Sequence, residues 1–190
     1  MKKEVNTINS NKDILAKLMA TENITVIHKK VPTAYFDVKS RTLCCPILKD
    51  EMSPELTDLF MGHEVGHALN TPEEGWHDAV CEKGMLFKGY LNVIEDVRID
   101  KMIQKKYPGL VNDYKDGFNI LWHDDFFGCK NKDLNKELML IDKINLYFKS
   151  SKTLDIKFSN ADKLFVNLVD KCKTFKDVSA TFQINPLNRD

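Results

Sequence analysis

Two histidines four residues apart in the sequence are the side chains best suited to chemistry. His63 and His67 belong to a His-Glu-x-x-His run that includes Glu64. On a helix, residues four apart lie on one face, so both imidazoles can bind one ion, with Glu64 about 100° around the helix. This geometry suits Zn²⁺ with an open position, where water loses a proton near neutral pH and a carboxylate acts as base. The spacing therefore predicts a metal site.

The residues around this run predict the helix that must carry it. Ser53 is a typical N-cap and Pro54 a typical first-turn residue, and Asn70-Thr71-Pro72 ends the pattern. An apolar stripe at helical spacing indicates a packed helix from about Pro54 to Leu69: Leu56, Leu59, Phe60, Val65, Ala68 and Leu69. A chance pair of surface histidines is disfavoured, because unpaired imidazoles on a largely buried helix are costly.

A catalytic zinc site usually has three protein ligands, so a third is needed. A metzincin pattern would need a glycine at 70 and a histidine at 73, and Asn70 and Glu73 exclude it. The other source is an acidic residue on a later helix.

That acidic residue is expected in an otherwise apolar run that contains Glu95 and Asp96. A buried carboxylate needs a cation, so we predict Glu95 as the third ligand and keep Asp96 as the alternative. Asn92 and Arg98 lie on the Glu95 face, while Asp100 shares the Asp96 stripe. Asp96 or Asp100 is expected to orient a histidine through a hydrogen bond. A solvated Glu95–Arg98 pair is the competing interpretation.

The residues before the metal helix predict a small β-sheet. Strands are expected over 24–27, 34–38 and 41–45, the last two joined by a polar turn. Pro46 closes the third strand, which favours an edge position. An edge strand before a metal helix can pair with an extended peptide substrate. The residues predicted to do so are Arg41, Thr42, Leu43 and Cys44.

The rest of the chain predicts helices and loops, giving a mainly helical α+β protein with a small N-terminal sheet. Glu73–Asp78 is expected to be a loop. Helices are expected near residues 9–19, at about 87–106, after an Asn112-Asp113 cap, and at about 134–148 and 160–171. We predict a core over residues 1–110 and a helical C-terminal subdomain over 111–190 packed on it.

Composition disfavours several functional classes. The net charge is zero and basic charge is nearly all lysine, so nucleic acid is not an expected partner. No signal peptide or membrane-spanning run is visible, which predicts a cytoplasmic protein. The five cysteines form no Cys-x-x-Cys pair, and their odd count favours reduced thiols.

The His63-Glu64-x-x-His67 run, followed by an Asn-x-x-Glu-Asp segment, resembles the gluzincin metallopeptidases, the group that includes thermolysin. From Tyr35 to about Leu110 the chain is more closely similar to metallopeptidases of tailed phages that are often described with a von Willebrand A-type domain. The matching segments are Tyr35–Val38, Arg41–Leu43, Gly62–Leu69, Ile94–Asp100 and Tyr107–Gly109. In thermolysin the ligand glutamate directly follows the asparagine. Here Val93 and Ile94 intervene, so Glu95 and Asp96 both stay candidates.

The resemblance implies a zincin-like fold and zinc-dependent hydrolysis of a peptide or protein substrate. His63 and His67 would be zinc ligands, Glu64 the general base and Glu95 the third ligand. A second donor should stabilise the oxyanion. We name Tyr90 and His77 as catalytic candidates, with three further ones: Tyr107, Tyr114 and His123. A von Willebrand A-type or AAA+ ATPase partner, and the host cytoplasm of a phage, are also implied.

Two functions of other classes compete with hydrolysis. The chain could be a non-hydrolytic zinc-containing adaptor or assembly module for a phage particle or a ring ATPase. It could also be a structural zinc domain, with His77 or His123 as a fourth ligand. Glu64 argues against both, because a structural zinc needs no base beside it.

Overall fold

The computed structural model describes residues 24–31, 34–46, 52–73 and 76–182, and only the backbone of residues 76–86. The helix predicted near residues 9–19 lies outside this part. The strands are β1 (Thr25–Lys29), β2 (Tyr35–Asp37) and β3 (Thr42–Pro46). The helices are α1 (Pro54–Asn70), α2 (Trp76–Lys106), α3 (Leu110–His123), α4 (Leu140–Lys149), α5 (Asn160–Lys171) and α6 (Phe175–Thr181). The predicted α+β class, mainly helical with a small sheet, is confirmed.

The sheet corrects the prediction that the strand before the metal helix lies at an edge. β3 is central, since β1 pairs with it in parallel and β2 antiparallel. Leu43 lies opposite both Val26 and Phe36, and Leu43 and Cys44 are fully buried. Pro46 is tolerated because it ends the strand. With both its edges paired, β3 cannot add a peptide strand, and Arg41 precedes it in a turn.

The helix that carries the two histidines forms as its sequence predicts. The Ser53 hydroxyl accepts a hydrogen bond from the Leu56 backbone N–H at 3.2 Å, and Pro54 occupies the first turn. The Arg41 guanidinium donates to the Ala68 carbonyl and lies 4.8 Å from the centre of the Phe36 ring. These contacts fix the sheet against α1.

Gly66 lets α1 and α2 approach closely beside the histidines. A Cβ atom at this position would lie 3.0 Å from Ile99 Cδ1 on α2, a tight contact. Gly62 has the same relation to α3, where an added Cβ would lie 3.1 Å from Tyr114 Cε2. The small residues next to His63 and His67 therefore set how near the two neighbouring helices come to α1.

The long helix α2 spans 31 residues, about 46 Å, and passes between two hydrophobic cores. It begins at Trp76, so Trp76–Asp78, which were predicted to lie in a loop, are helical, and the helix begins well before the predicted start at residue 87. Residues of high helix propensity, such as Ala79, Glu82 and Met85, favour a helix in this stretch. One core joins α2 to the C-terminal helices. The other contains Ile103 with residues of the sheet and α1.

The helices after α2 divide between these cores. Leu110 and Tyr114 of α3 join the core of the sheet and α1, whereas α4, α5 and α6 pack on the middle of α2, residues 87–97. The predicted helix at 134–148 begins only at Leu140, and α5 matches its predicted bounds with a Ser159–Asp162 capping box. The division into 1–110 and 111–190 stays a prediction. Within the described residues, no helix has the length and apolar character needed to cross a membrane.

Candidate metal centre

Helices α1 and α2 bring two imidazoles and a carboxylate together. His63 and His67 lie one turn apart on α1, with ring centres 4.9 Å apart. Asp96 on α2 faces both: its Oδ1 lies 3.3 Å from His67 Nε2 and 3.7 Å from His63 Nε2. Ligand atoms of all three residues lie within 4.8 Å of one another, so this cluster could hold a metal ion.

The Asp96 carboxylate tests whether a cation fits this cluster. Its Oδ1 is buried and has no hydrogen-bond partner among the described residues, although His67 Nε2 is close. A buried carboxylate oxygen without a partner is costly, and native structures nearly always satisfy such atoms. An ion between the two imidazoles would provide the missing partner. The residues present therefore fit a metal.

A chain of hydrogen bonds leaves the Nε2 atom of His67 free to bind a metal. The Thr71 hydroxyl donates its hydrogen to Glu95 Oε1 at 2.7 Å, because a carboxylate paired with arginine can only accept. The same hydroxyl oxygen lies 2.9 Å from His67 Nδ1 and must therefore accept from it. His67 Nδ1 therefore carries a hydrogen, so in the neutral ring that a metal requires the Nε2 lone pair points at Asp96.

His63 is oriented in the same way by Asp100. The Nδ1 atom of His63 lies 2.7 Å from Asp100 Oδ1, which also accepts from the Tyr114 hydroxyl at 3.1 Å. This carboxylate directs the other nitrogen, Nε2, toward Asp96. The structure thus places Asp100 in the histidine-orienting position predicted for it.

The geometry favours Asp96, the alternative, over Glu95 as the third ligand. Glu95 is fully buried, and its two oxygens accept from Arg98 Nε at 2.8 Å and Nη2 at 2.6 Å. Arg98 Nη2 also donates to the Asn70 carbonyl at the end of α1. The Glu95 carboxylate already has a cation, so the choice of Glu95 is corrected. The competing Glu95–Arg98 pair exists, but it is buried instead of solvated.

The charges around the cluster shift several pKa values. Burial lowers the pKa of His63, but Asp100 and Asp96 outweigh it and raise this pKa to about 9. Burial raises the pKa of Asp96, yet Lys149 and His63 bring it well below its usual value. The pKa of Asp100 is lowered for the same reasons. Without a metal, protons and one lysine offset the carboxylates.

Glu64 lies where a base would be needed. It is 7% exposed, its carboxylate accepts a hydrogen bond from the Phe36 backbone, and it lines the same cavity as His63 and His67. Burial raises the pKa of Glu64 against the opposing effect of the two histidines. A raised pKa brings a carboxylate nearer the range in which it can both take and return a proton.

A cavity of about 540 Å³ opens beside the cluster. Ala34, just before β2, and Tyr35 and Phe36 of β2 form part of its wall, so β2 is the strand of the described sheet that lies beside the site. Apolar side chains form much of the remaining lining: Leu59, Phe60, Phe118, Leu121, Phe127 and Phe148. This volume and lining suit an organic ligand with apolar parts.

The other predicted site residues have different positions. Tyr90 is excluded as a catalytic residue, because it packs in the core beside Phe165 and donates to Thr181 Oγ1 at 3.1 Å. Asn92 is exposed and lines the cavity. The His77 side chain lies outside the described part, and the His123 side chain is 86% exposed beside Asp124.

The two remaining tyrosine candidates lie in different places, one at the cavity and one in a hydrophobic core. Tyr114 lines the cavity, with its hydroxyl at Asp100, whereas Tyr107 packs against the core of the sheet and α1. Burial and the nearby Asp100 raise the pKa of Tyr114 well above its usual value. Tyr114 is therefore a neutral hydrogen-bond donor at the site.

Sequence reasoning missed two residues of the site. The sequence predicts Thr71 only as part of the segment that ends α1. A hydroxyl four residues after His67 nevertheless lies one turn further along the same face. Lys149 ends α4 and reaches Asp96 and Asp100. No local pattern distinguishes it from the other lysines of the chain.

Comparison of the chain with protein-family models, curated proteins and solved structures found no match. The resemblance to gluzincins and tailed-phage metallopeptidases therefore stays a prediction. So do the von Willebrand A-type or AAA+ partner and the cytoplasmic location.

Proposed function

We propose that this protein is a zinc-dependent metallopeptidase, with His63, His67 and Asp96 as the zinc ligands. The observation that carries the proposal is the buried, unpartnered Asp96 Oδ1 facing two Nε2 atoms whose rings are held from behind. Two imidazoles and one carboxylate are a ligand set typical of catalytic zinc, which leaves a position open. When bound, Zn²⁺ would supply Lewis acidity and lower the pKa of a coordinated water.

Glu64 is the proposed general base. Its buried carboxylate would take the proton from the attacking water and deliver it to the leaving amine. The Phe36 backbone N–H orients this carboxylate. Tyr114 is the proposed donor to the developing oxyanion, since it lines the cavity and stays neutral. Its single O–H would turn from Asp100 Oδ1 to the oxyanion.

The proposed peptide-binding edge moves from β3 to β2. Within the described residues, β2 pairs with β3 along one edge only, and Tyr35 and Phe36 line the cavity beside Glu64. An extended substrate lying along this edge would pass next to the base. Tyr35 is 45% exposed, which leaves the strand accessible.

The test compares Glu64→Gln with Glu73→Gln, a control at an exposed glutamate just after α1. Zinc-loaded proteins are incubated with a peptide mixture and cleavage is followed by mass spectrometry. We expect Glu64→Gln to retain zinc and lose activity by about 100-fold or more, because general-base catalysis is removed. Glu73→Gln should match the wild type. Zinc binding with no cleavage by either the wild type or Glu64→Gln would instead support the adaptor function.

A further inference from the structure

A half-buried lysine from outside the α1–α2 pair contacts the carboxylates of the metal cluster. Lys149 is the last residue of α4, and its side chain is 25% exposed. Its Nζ lies 3.4 Å from Asp96 Oδ2 and 3.7 Å from Asp100 Oδ2. Burial lowers the pKa of Lys149, but these two carboxylates raise it above its ordinary value, so the ammonium is charged.

In each of the two carboxylates, one oxygen faces a histidine and the other faces Lys149. Oδ1 of Asp96 faces the imidazoles and Oδ1 of Asp100 holds His63, whereas both Oδ2 atoms are directed at Lys149. The ammonium group therefore takes the oxygens that the histidines do not use. This leaves a single oxygen of Asp96 for a cation.

The charges show what the lysine does. A metal requires neutral histidines as ligands. In that state, with Glu64, Asp96 and Asp100 ionised, three negative charges would meet the single positive charge of Lys149. The remaining two negative charges equal the charge of one divalent cation. In a partly buried site such charges interact strongly, because solvent screens them little. Lys149 thus repels a cation on Asp96 while it keeps both carboxylates in place.

We propose that Lys149 is a positioning residue that keeps Asp96 a one-oxygen, weakly donating ligand, at the expense of metal affinity. Sharing its charge with Lys149, Asp96 passes less negative charge to a bound ion, which then remains a stronger Lewis acid. The inference rests on the metal ligands of the proposed function and adds a residue of α4 to them. If Lys149 only supported the fold, replacing it would lower the metal affinity or leave it unchanged.

The experiment measures zinc affinity by competition with a chelator at fixed pH. The variants are Lys149→Met, Lys149→Arg and, as a control, Lys136→Met, which removes an exposed lysine paired with Asp133. We expect Lys149→Met to bind zinc about tenfold or more tightly, because a nearby positive charge is lost. The arginine variant should stay within about threefold of the wild type, and the control should not change. Unchanged or weaker binding by Lys149→Met would overturn the proposal.

Circular dichroism with and without Zn²⁺ keeps the test decisive if the neutral variant folds poorly. If Lys149→Met folds only with Zn²⁺, the metal has replaced the missing positive charge, which supports the proposal. If it stays unfolded with Zn²⁺, the role is structural and the proposal is wrong. A wild type that binds no zinc would instead contradict the proposed function, whereas wild-type binding without tightening in Lys149→Met contradicts this inference alone.

Discussion

Two acidic residues on α2, adjacent in sequence, belong to opposite kinds of polar network. Glu95 is satisfied by protein groups alone, since Arg98 and Thr71 occupy its oxygens. Asp96 has Lys149 on one oxygen, while the other is buried without a partner among the described residues. The first network is closed and connects α2 to the end of α1. The second is open toward a cavity.

The difference shows how a chain can separate stability from chemistry within a single helical turn. Removing one partner of a buried ion pair is strongly destabilising, because the other charge then stays buried and uncompensated. An unpartnered oxygen between two imidazoles weakens the metal-free protein but provides a ligand position. Burial of a carboxylate therefore does not by itself indicate a metal ligand. What distinguishes a ligand is an oxygen without a protein partner.

Asp96→Asn should have the largest effect on metal binding. The amide replaces an anionic ligand by a neutral one, so we expect zinc affinity to fall about 100-fold or more. Chelator competition measures the affinity, and Glu95→Gln, the same change at the neighbouring residue, is the matched control. If the two variants lost affinity equally, the distinction between an open and a closed network would fail.

Glu95→Gln should have the largest effect on stability. It leaves the buried Arg98 guanidinium without a counter-charge, which we expect to lower the free energy of unfolding by roughly 3–5 kcal/mol. Denaturant titration of the metal-free protein measures the loss. Glutamine can still accept from Thr71, so zinc bound per folded molecule should stay the same. A stability loss larger in Asp96→Asn than in Glu95→Gln would contradict the comparison.

The predictable part of this site is the local part. Apolar spacing, an N-cap and the His-x-x-x-His interval are properties of one helix, and α1 forms as they indicate. Which of Glu95 and Asp96 faces α1 depends on the rotation of α2, since consecutive residues point about 100° apart. That rotation is set by contacts between helices, such as Ile99 against Gly66 and Arg98 with the Asn70 carbonyl.

Strand order shows the same limit in the sheet. β-branched content and turn residues located all three strands to within a residue or two. These local signals could not show that β3 pairs with β1, because parallel pairing joins segments that no tight turn connects. The peptide-binding edge was therefore assigned to the wrong strand. Lys149 was missed for a similar reason, since only the packing of α4 on α2 brings it to Asp96.

Thr71 joins the two networks, and its replacement should have a smaller effect than either acidic substitution. Thr71→Val keeps the shape but removes the hydroxyl between His67 Nδ1 and Glu95 Oε1. The imidazole loses the group that fixes its orientation, so we expect zinc affinity to fall about tenfold. Thr57→Val is the control, because that α1 hydroxyl donates to the Ser53 carbonyl at 3.0 Å instead. Chelator competition on both variants decides the point: equal affinities would mean that the closed network does not support the open one.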